Sequence, residues 1–275
     1  VYQGLNIGTA KPTMEEREGV PHYMIDVVSP KESFSVSDYE AQALPIVERL
    51  LAEGKTPIIC GGTGFYINSL LYKSQFGNVG ANEEIRQKYE RMAEEYGKEY
   101  VHSILAEKDP ESAAKLHFND VKRVIRALEI YRLTGKNLTE QNKCSHENES
   151  PYEPLYIGIS FKDREKLYER INKRVDIMCD LGLLEETKDF YKKHPSQTAV
   201  NAIGYKELKP FLDGGKTLEE CLMHLKQSTR RYAKRQLTWF NRNEKINWFY
   251  PDLYNDVNEL FSETDTLVEN FLKGE

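Results

Sequence analysis

Cysteine is scarce in this 275-residue chain: Cys60, Cys144, Cys179 and Cys221 are widely scattered and form no C-x-x-C pair. That excludes a disulfide framework and a structural zinc site, leaving reduced thiols that are buried or idle. The six histidines are equally dispersed, so no H-x-x-x-H or His/Cys cluster offers a metal cage. Any metal would have to arrive with a phosphate ligand. No apolar run reaches membrane-span length, and the opening residues lack the basic-then-apolar pattern of a secretory signal, so the expected compartment is the cytosol. Internal repeats, low-complexity tracts and the G-x-x-x-x-G-K-[ST] pattern of a nucleotide P-loop are all missing from these residues.

What is present describes one or two domains with ample material for a core: 39% hydrophobic and 30% charged residues, with a formal net charge of −6. Against that acidic balance, Lys226, Arg230, Arg231, Lys234, Arg235 and Arg242 form a run with no acidic residue among them. Such a local reversal of sign suits a polyanion, and the interleaved Tyr232, Trp239 and Phe240 are flat surfaces on which unpaired bases stack. The plainer reading is a solvated helix face, with Leu225, Tyr232, Leu237 and Phe240 turned to a core.

Along the chain, strand signals alternate with helical spacing, the pattern of an α/β fold with a largely parallel sheet. Strands are expected at Tyr23–Val28, at the buried run Pro57–Cys60, at Leu155–Ser160 and at Ile246–Tyr250. Helical spacing covers Ser37–Glu53 and resumes through Tyr66, Leu70 and Leu71. From about Gln75 to Ser150 the pattern changes to long polar helices, which gives a division into 1–74 (α/β core), 75–150 (helical insertion) and 151–275 (return to the core plus C-terminal helices).

Three places carry potential chemistry. Gly61, Gly62, Thr63 and Gly64 stand between a strand and a helix, where backbone N–H groups and a helix N-terminus suit an anion, although many such turns use glycine only to turn. Arg170 and Arg174 lie one turn apart on a helix from about Asp163 to Leu181, capped by Ser160 or Asp163, with an apolar stripe of Leu167, Ile171, Val175 and Met178. Paired arginines grip phosphate well, but most dress a surface. Lys122, Arg123 and Arg126 make a further basic face on a helix whose Val121, Val124, Ile125 and Leu128 point inward.

Four separated strings then occur in one order: V-Y-Q-G-L-N-I-G-T-A-K-P-T from Val1, G-G-T-G-F-Y from Gly61, A-I-G-Y-K-E from Ala202 and T-R-R-Y-A-K-R-Q-L-T-W-F from Thr229. With D-V-K-R-V-I-R-A-L-E-I-Y-R-L-T-G-K from Asp120 and R-V-D-I-M from Arg174, nearly the whole chain resembles the bacterial-type tRNA dimethylallyltransferases. The resemblance implies a P-loop NTPase-like parallel sheet with a helical insertion. It also implies transfer of a dimethylallyl group from its diphosphate to N6 of the adenosine on the 3′ side of the anticodon. By the same resemblance Thr63 and Arg174 are catalytic, and Gly61, Gly62 and Gly64 bind substrate. Arg86, Lys122, Arg123, Val124, Ile125, Arg126, Lys234, Arg235 and Gln236 would touch the tRNA anticodon stem-loop. Mg²⁺ would neutralise diphosphate, no protein metal site is implied, and a monomer is expected.

In that family a P-loop unit and an Asp-Ser-x-Gln motif stand ahead of the Val-Tyr that opens this chain. A polypeptide without them is expected to be catalytically crippled, since the aspartate is the family's proposed general base and the P-loop lysine grips diphosphate. The alternatives at this level are an adenylate dimethylallyltransferase, a P-loop kinase and a non-catalytic RNA-binding module. Two extended basic helices favour RNA over a free nucleotide, and the product, prenylated or phosphorylated, separates the rest.

Overall fold

Helices make up most of this protein, and the residues that start and stop them were written plainly into the chain. The computed structural model describes residues 1–72, 80, 82–137 and 150–274. Two compact units emerge, one of Val1–Ser35, Gln42–Gly64 and Glu153–Glu275, the other of Val36–Ala41 and Phe65–Tyr152. Helix α1 (Val36–Ala52) and helix α2 (Gly64–Tyr72) each have residues in both.

The second unit consists of helices and their connections, with no strand among its described residues. Asn82 caps α3 (Glu83–Tyr96) by accepting the Ile85 N–H at 3.0 Å, and Gly97, at φ +91°, breaks the chain before α4 (Lys98–Lys108). Asp109 caps the short α5 (Pro110–Lys115), accepting from Ser112 N–H at 3.0 Å, and the left-handed Gly135 ends α6 (Val121–Thr134). The inward faces of these helices condense into one apolar cluster: Tyr89, Val101, Leu105, Ala113, Val124, Ile125, Ala127 and Leu128. Long polar helices without strands were expected here. Cys144 lies outside the described residues.

The first unit holds a small parallel sheet. Strand β1 (Tyr156–Ile159) pairs with β2 (Ile246–Phe249) in the register Tyr156 to Ile246 and Ile159 to Phe249. Parallel neighbours require a crossover, supplied by α7 (Arg164–Asp180), α8 (Leu183–Lys192), α9 (Tyr205–Leu212) and α10 (Leu218–Phe240). After β2 comes α11 (Val257–Lys273). Asp163 caps α7 through the N–H groups of Glu165 and Lys166, as the sequence suggested, and Asp252 in turn accepts from the N–H groups of Lys162 and Asp163 at 2.9 and 2.8 Å. The turn after β2 is thereby tied to the start of α7. A reciprocal Thr217–Glu220 capping box opens α10.

Two expected strands do not form. In Tyr23–Val28, Met24 and Asp26 adopt φ +61° and +55°, which interrupts extension, so only Val27 and Val28 run beside Val1–Gln3 through a single Tyr2–Val28 bridge. Pro57–Cys60 is not a buried strand either: Ile58 is 85% exposed and, among the described residues, no neighbouring strand pairs with the segment. An apolar run becomes a strand only where a partner supplies the ladder.

Helices α7 and α10 position the site. They pack through Val175, Cys221 and Leu225, with Leu183 and Leu208 in the same cluster. The Arg230 guanidinium donates to Asn172 at 2.6 Å and the Lys226 ammonium pairs with Asp176 at 2.6 Å, so the two helices run antiparallel. The far end of α10 closes on the Gly61–Gly64 turn. Gln236 Nε2 donates to the Gly62 carbonyl at 2.9 Å, and a Cβ on Gly62 would sit 1.9 Å from that nitrogen. On Gly64, a Cβ would meet the Trp239 indole nitrogen at 2.0 Å. Neither glycine has positive φ, so they are required by close approach rather than by turn conformation.

The two glycines therefore differ in tolerance. Gly62→Ala needs only the flexible end of Gln236 to swing away, and is expected to cost about 0.5–1.5 kcal/mol, one net hydrogen bond. Gly64→Ala must displace a whole indole and is expected to cost about 1–3 kcal/mol as an overpacked contact. Urea unfolding of both variants checks the order; equal midpoints would contradict it.

Candidate active site

The loop Gly61–Gly64 leads into α2, whose first N–H groups lack intrahelical partners and favour negative charge. Gly61 faces open space, with nothing within 4 Å of where a Cβ would stand, whereas Gly62 and Gly64 are covered by Gln236 and Trp239. Thr63 between them is exposed, and its hydroxyl makes no hydrogen bond among the described residues. Gln236, expected at the RNA, is thus also the hydrogen-bonded link to the glycine turn.

Arg174 lies on α7, exposed and without an ion pair or hydrogen bond among the described residues. Its neighbour Val175 is buried against α10. From the Asn172–Arg230 and Asp176–Lys226 contacts, Arg174 stands level with the part of α10 about eight residues before Gln236, roughly 12 Å along the helix axis. Thr63 and Arg174 therefore flank one helix without touching each other. Arg170, a turn earlier on α7, lies over the Phe161 ring at 5.8 Å.

The basic run on α10 divides in two. Lys226 and Arg230 are committed to α7, as an ordinary packed face would have them. Arg231, Lys234 and Arg235 are exposed, with Arg235 above the Tyr232 ring at 5.5 Å. Only this latter half offers cations to a partner.

In the helical unit, Lys122 and Arg123 are exposed on α6, while Val124 and Ile125 are 1% and 3% exposed and belong to the core. The last two cannot meet RNA through their side chains; they fix which face of α6 is outward. Arg86 and Arg126 both bond the fully buried Glu129 carboxylate: Arg86 Nε to Oε1 at 3.0 Å, Arg86 Nη2 to Oε2 at 3.1 Å and Arg126 Nη1 to Oε2 at 2.6 Å. The Asn82 N–H adds a further bond to Oε1 at 2.6 Å. Burial pushes this carboxyl upward, but the arginine and backbone hydrogen bonds more than offset it and hold it below the usual carboxylate range.

One arrangement escaped sequence reasoning. Glu186 on α8 accepts the N–H groups of Asn6, Ile7 and Gly8 at 2.8, 2.9 and 2.9 Å, and the Tyr205 hydroxyl at 2.7 Å. Gly8 lies so close to the Tyr205 ring that a Cβ would meet it at 2.8 Å. Burial first, and the Glu186 bond second, push the Tyr205 phenol far up, so it stays a donor. The usable signal was the joint occurrence of the N-I-G-T and A-I-G-Y-K-E strings: the glycine of one receives the tyrosine of the other.

No group of three or more His, Cys, Asp or Glu side chains converges among the described residues, so those residues do not by themselves form a metal cage. A groove beside β2 and α11, lined by residues such as Trp248, Phe249, Glu263 and Leu267, includes neither Thr63 nor Arg174. No helix of the described residues is long and apolar enough to cross a membrane.

Comparison with known proteins places this architecture. The tRNA dimethylallyltransferase of Caldanaerobacter subterraneus subsp. tengcongensis is 46% identical over 263 residues, covering 94% of this chain and 84% of that protein. The crystal structure of the full-length tRNA isopentenylpyrophosphate transferase from Bacillus halodurans superposes with a TM-score of 0.68 at 41% identity, covering all of this chain and 84% of that one. A eukaryotic dimethylallyltransferase captured acting on tRNA gives 0.79 at 28% identity, over 98% of this chain and 70% of that one. The α/β, P-loop NTPase-like class read from the sequence stands, its sheet being two parallel strands among the described residues. The IPP transferase profile matches residues 1–243, and this chain belongs to the IPP transferase family.

Proposed function

We propose that this protein transfers a dimethylallyl group from dimethylallyl diphosphate to N6 of the adenosine 3′-adjacent to the anticodon of tRNA, as a cytosolic monomer. Membership of the family is the observation that carries the reading. In the reaction the allylic C1–O bond breaks and its electron pair leaves with diphosphate. The C1–N6 bond forms, and one N6 proton is released. Charge develops on the departing oxygen, where preorganised cations and N–H donors lower the barrier most. The unpartnered Arg174 fits the diphosphate, and the open Gly61 backbone with the Thr63 hydroxyl fits the channel beside it. The acceptor amine is a weak nucleophile, so the base must be extruded from the anticodon loop and held close. Exposed Lys122 and Arg123 on α6 suit RNA phosphates, and exposed Lys234 and Arg235 on α10 do so separately.

A divalent ion such as Mg²⁺ is bound largely through substrate phosphates and water in sites of this kind. The described residues form no cage for one, and no step here is routed through it.

Incubating the intact enzyme with tRNA, free adenylate and labelled dimethylallyl diphosphate should place label on the adenosine beside the anticodon. Label on free adenylate but not on tRNA would overturn the reading in favour of the nucleotide enzyme. Arg174→Ala is expected to lower turnover by roughly 10²–10³ at saturating substrates, the range for one transition-state donor. Lys122→Ala and Arg123→Ala should each weaken tRNA binding evenly across sequences and flatten the log–log salt dependence by about 1. A slope unchanged in both variants would remove that face from the interface.

A further inference from the structure

Glu129 is a costly way to join helices. A fully buried carboxylate loses several kcal/mol of solvation unless paired, and well-packed apolar residues often replace buried ion clusters at no loss of stability. An apolar residue in its place could not, however, order two guanidinium groups. Arg86 Nη2 and Arg126 Nη1 meet on the same oxygen, Oε2, so two like charges stand side by side with the carboxylate cancelling their repulsion. Each arginine side chain remains about one third exposed, at 36% and 32%. Arg86 uses its Nε edge, and its Nη1 makes no bond among the described residues. Arg126 follows Lys122 by one turn of α6 and Arg123 by three residues, so the pair adjoins exposed cations already expected at RNA. Planar guanidinium groups match phosphate oxygens in geometry as well as in charge.

We propose that Glu129 is a positioning residue that sets Arg86 and Arg126 side by side as a single clamp for an RNA phosphate. The inference rests on the reading that this face of the helical unit binds tRNA. Positioning and plain charge balance make opposite predictions for Glu129→Gln. The amide has nearly the same volume, but it adds one positive charge to the cluster and turns one acceptor into a donor facing an arginine. If Glu129 only dilutes charge, the variant binds tRNA more tightly. If it positions the clamp, affinity falls by roughly tenfold, the loss of about one charge-assisted contact, and the salt slope flattens by about 1. Dimethylallyl diphosphate binding should not change. Arg86→Lys keeps the charge but cannot reproduce the two-point grip, and should weaken tRNA binding likewise.

Filter or fluorescence titration of tRNA against salt, with melting curves of each variant, reads all of this. Glu129→Gln binding tRNA as tightly as the unaltered protein or more so, or Arg86→Lys binding normally, overturns the clamp while leaving the RNA reading intact. Absence of salt-dependent tRNA binding by the unaltered protein overturns both. Should Glu129→Gln fail to fold, Arg86→Lys decides.

Discussion

The approach of α10 to the glycine turn is the constraint on which the candidate site depends. Gln236 and Trp239 occupy the space that side chains at Gly62 and Gly64 would need, so the helix that carries exposed Lys234 and Arg235 also fixes the backbone around Thr63. At its other end the same helix is locked to α7 by Asn172–Arg230 and Asp176–Lys226, with Val175 and Leu225 buried beneath. One long helix therefore sets the spacing between an open hydroxyl and an open arginine. Preorganisation of this kind is what a reaction with a departing diphosphate needs, because donors that must first be rearranged contribute less.

A second device recurs in both units: a buried or partly buried carboxylate that gathers several donors, most of them distant in sequence. Glu186 collects three consecutive N–H groups and a tyrosine hydroxyl, and so fixes the Asn6–Gly8 loop against α8. Glu129 collects Arg86, Arg126 and the N–H that opens the cap of α3. In each case full hydrogen bonding is what makes burial of the charge tolerable.

These devices explain what could be read in the sequence and what could not. Caps and breaks are local, so Asp163, Asn82 and Gly135 announced their helices, and the apolar spacing of α6 announced its core face. Strands are not local: Pro57–Cys60 has the composition of a strand but no ladder among the described residues. The glycines at 62 and 64 were visible, yet their reason lay some 170 residues away in Gln236 and Trp239. Likewise the helical spacing placed Arg126 on a basic face, but nothing local showed that it shares an acid with Arg86. Ordered motifs carried the family; pairwise geometry required coordinates.

The parallel ladder of β1 and β2 joins residues 90 positions apart, Tyr156 with Ile246. Closing so long a loop forfeits chain entropy before any strand bond returns it, whereas the turns of α3 to α6 close over a few residues each. During synthesis the helical unit can condense as soon as it emerges, but the sheet must wait until the chain has been made through Phe249. Until then β1 has no ladder partner and Gly158 lacks the Trp248 ring that covers it, which leaves the unpaired edges of Tyr156–Ile159 open to solvent and to other chains.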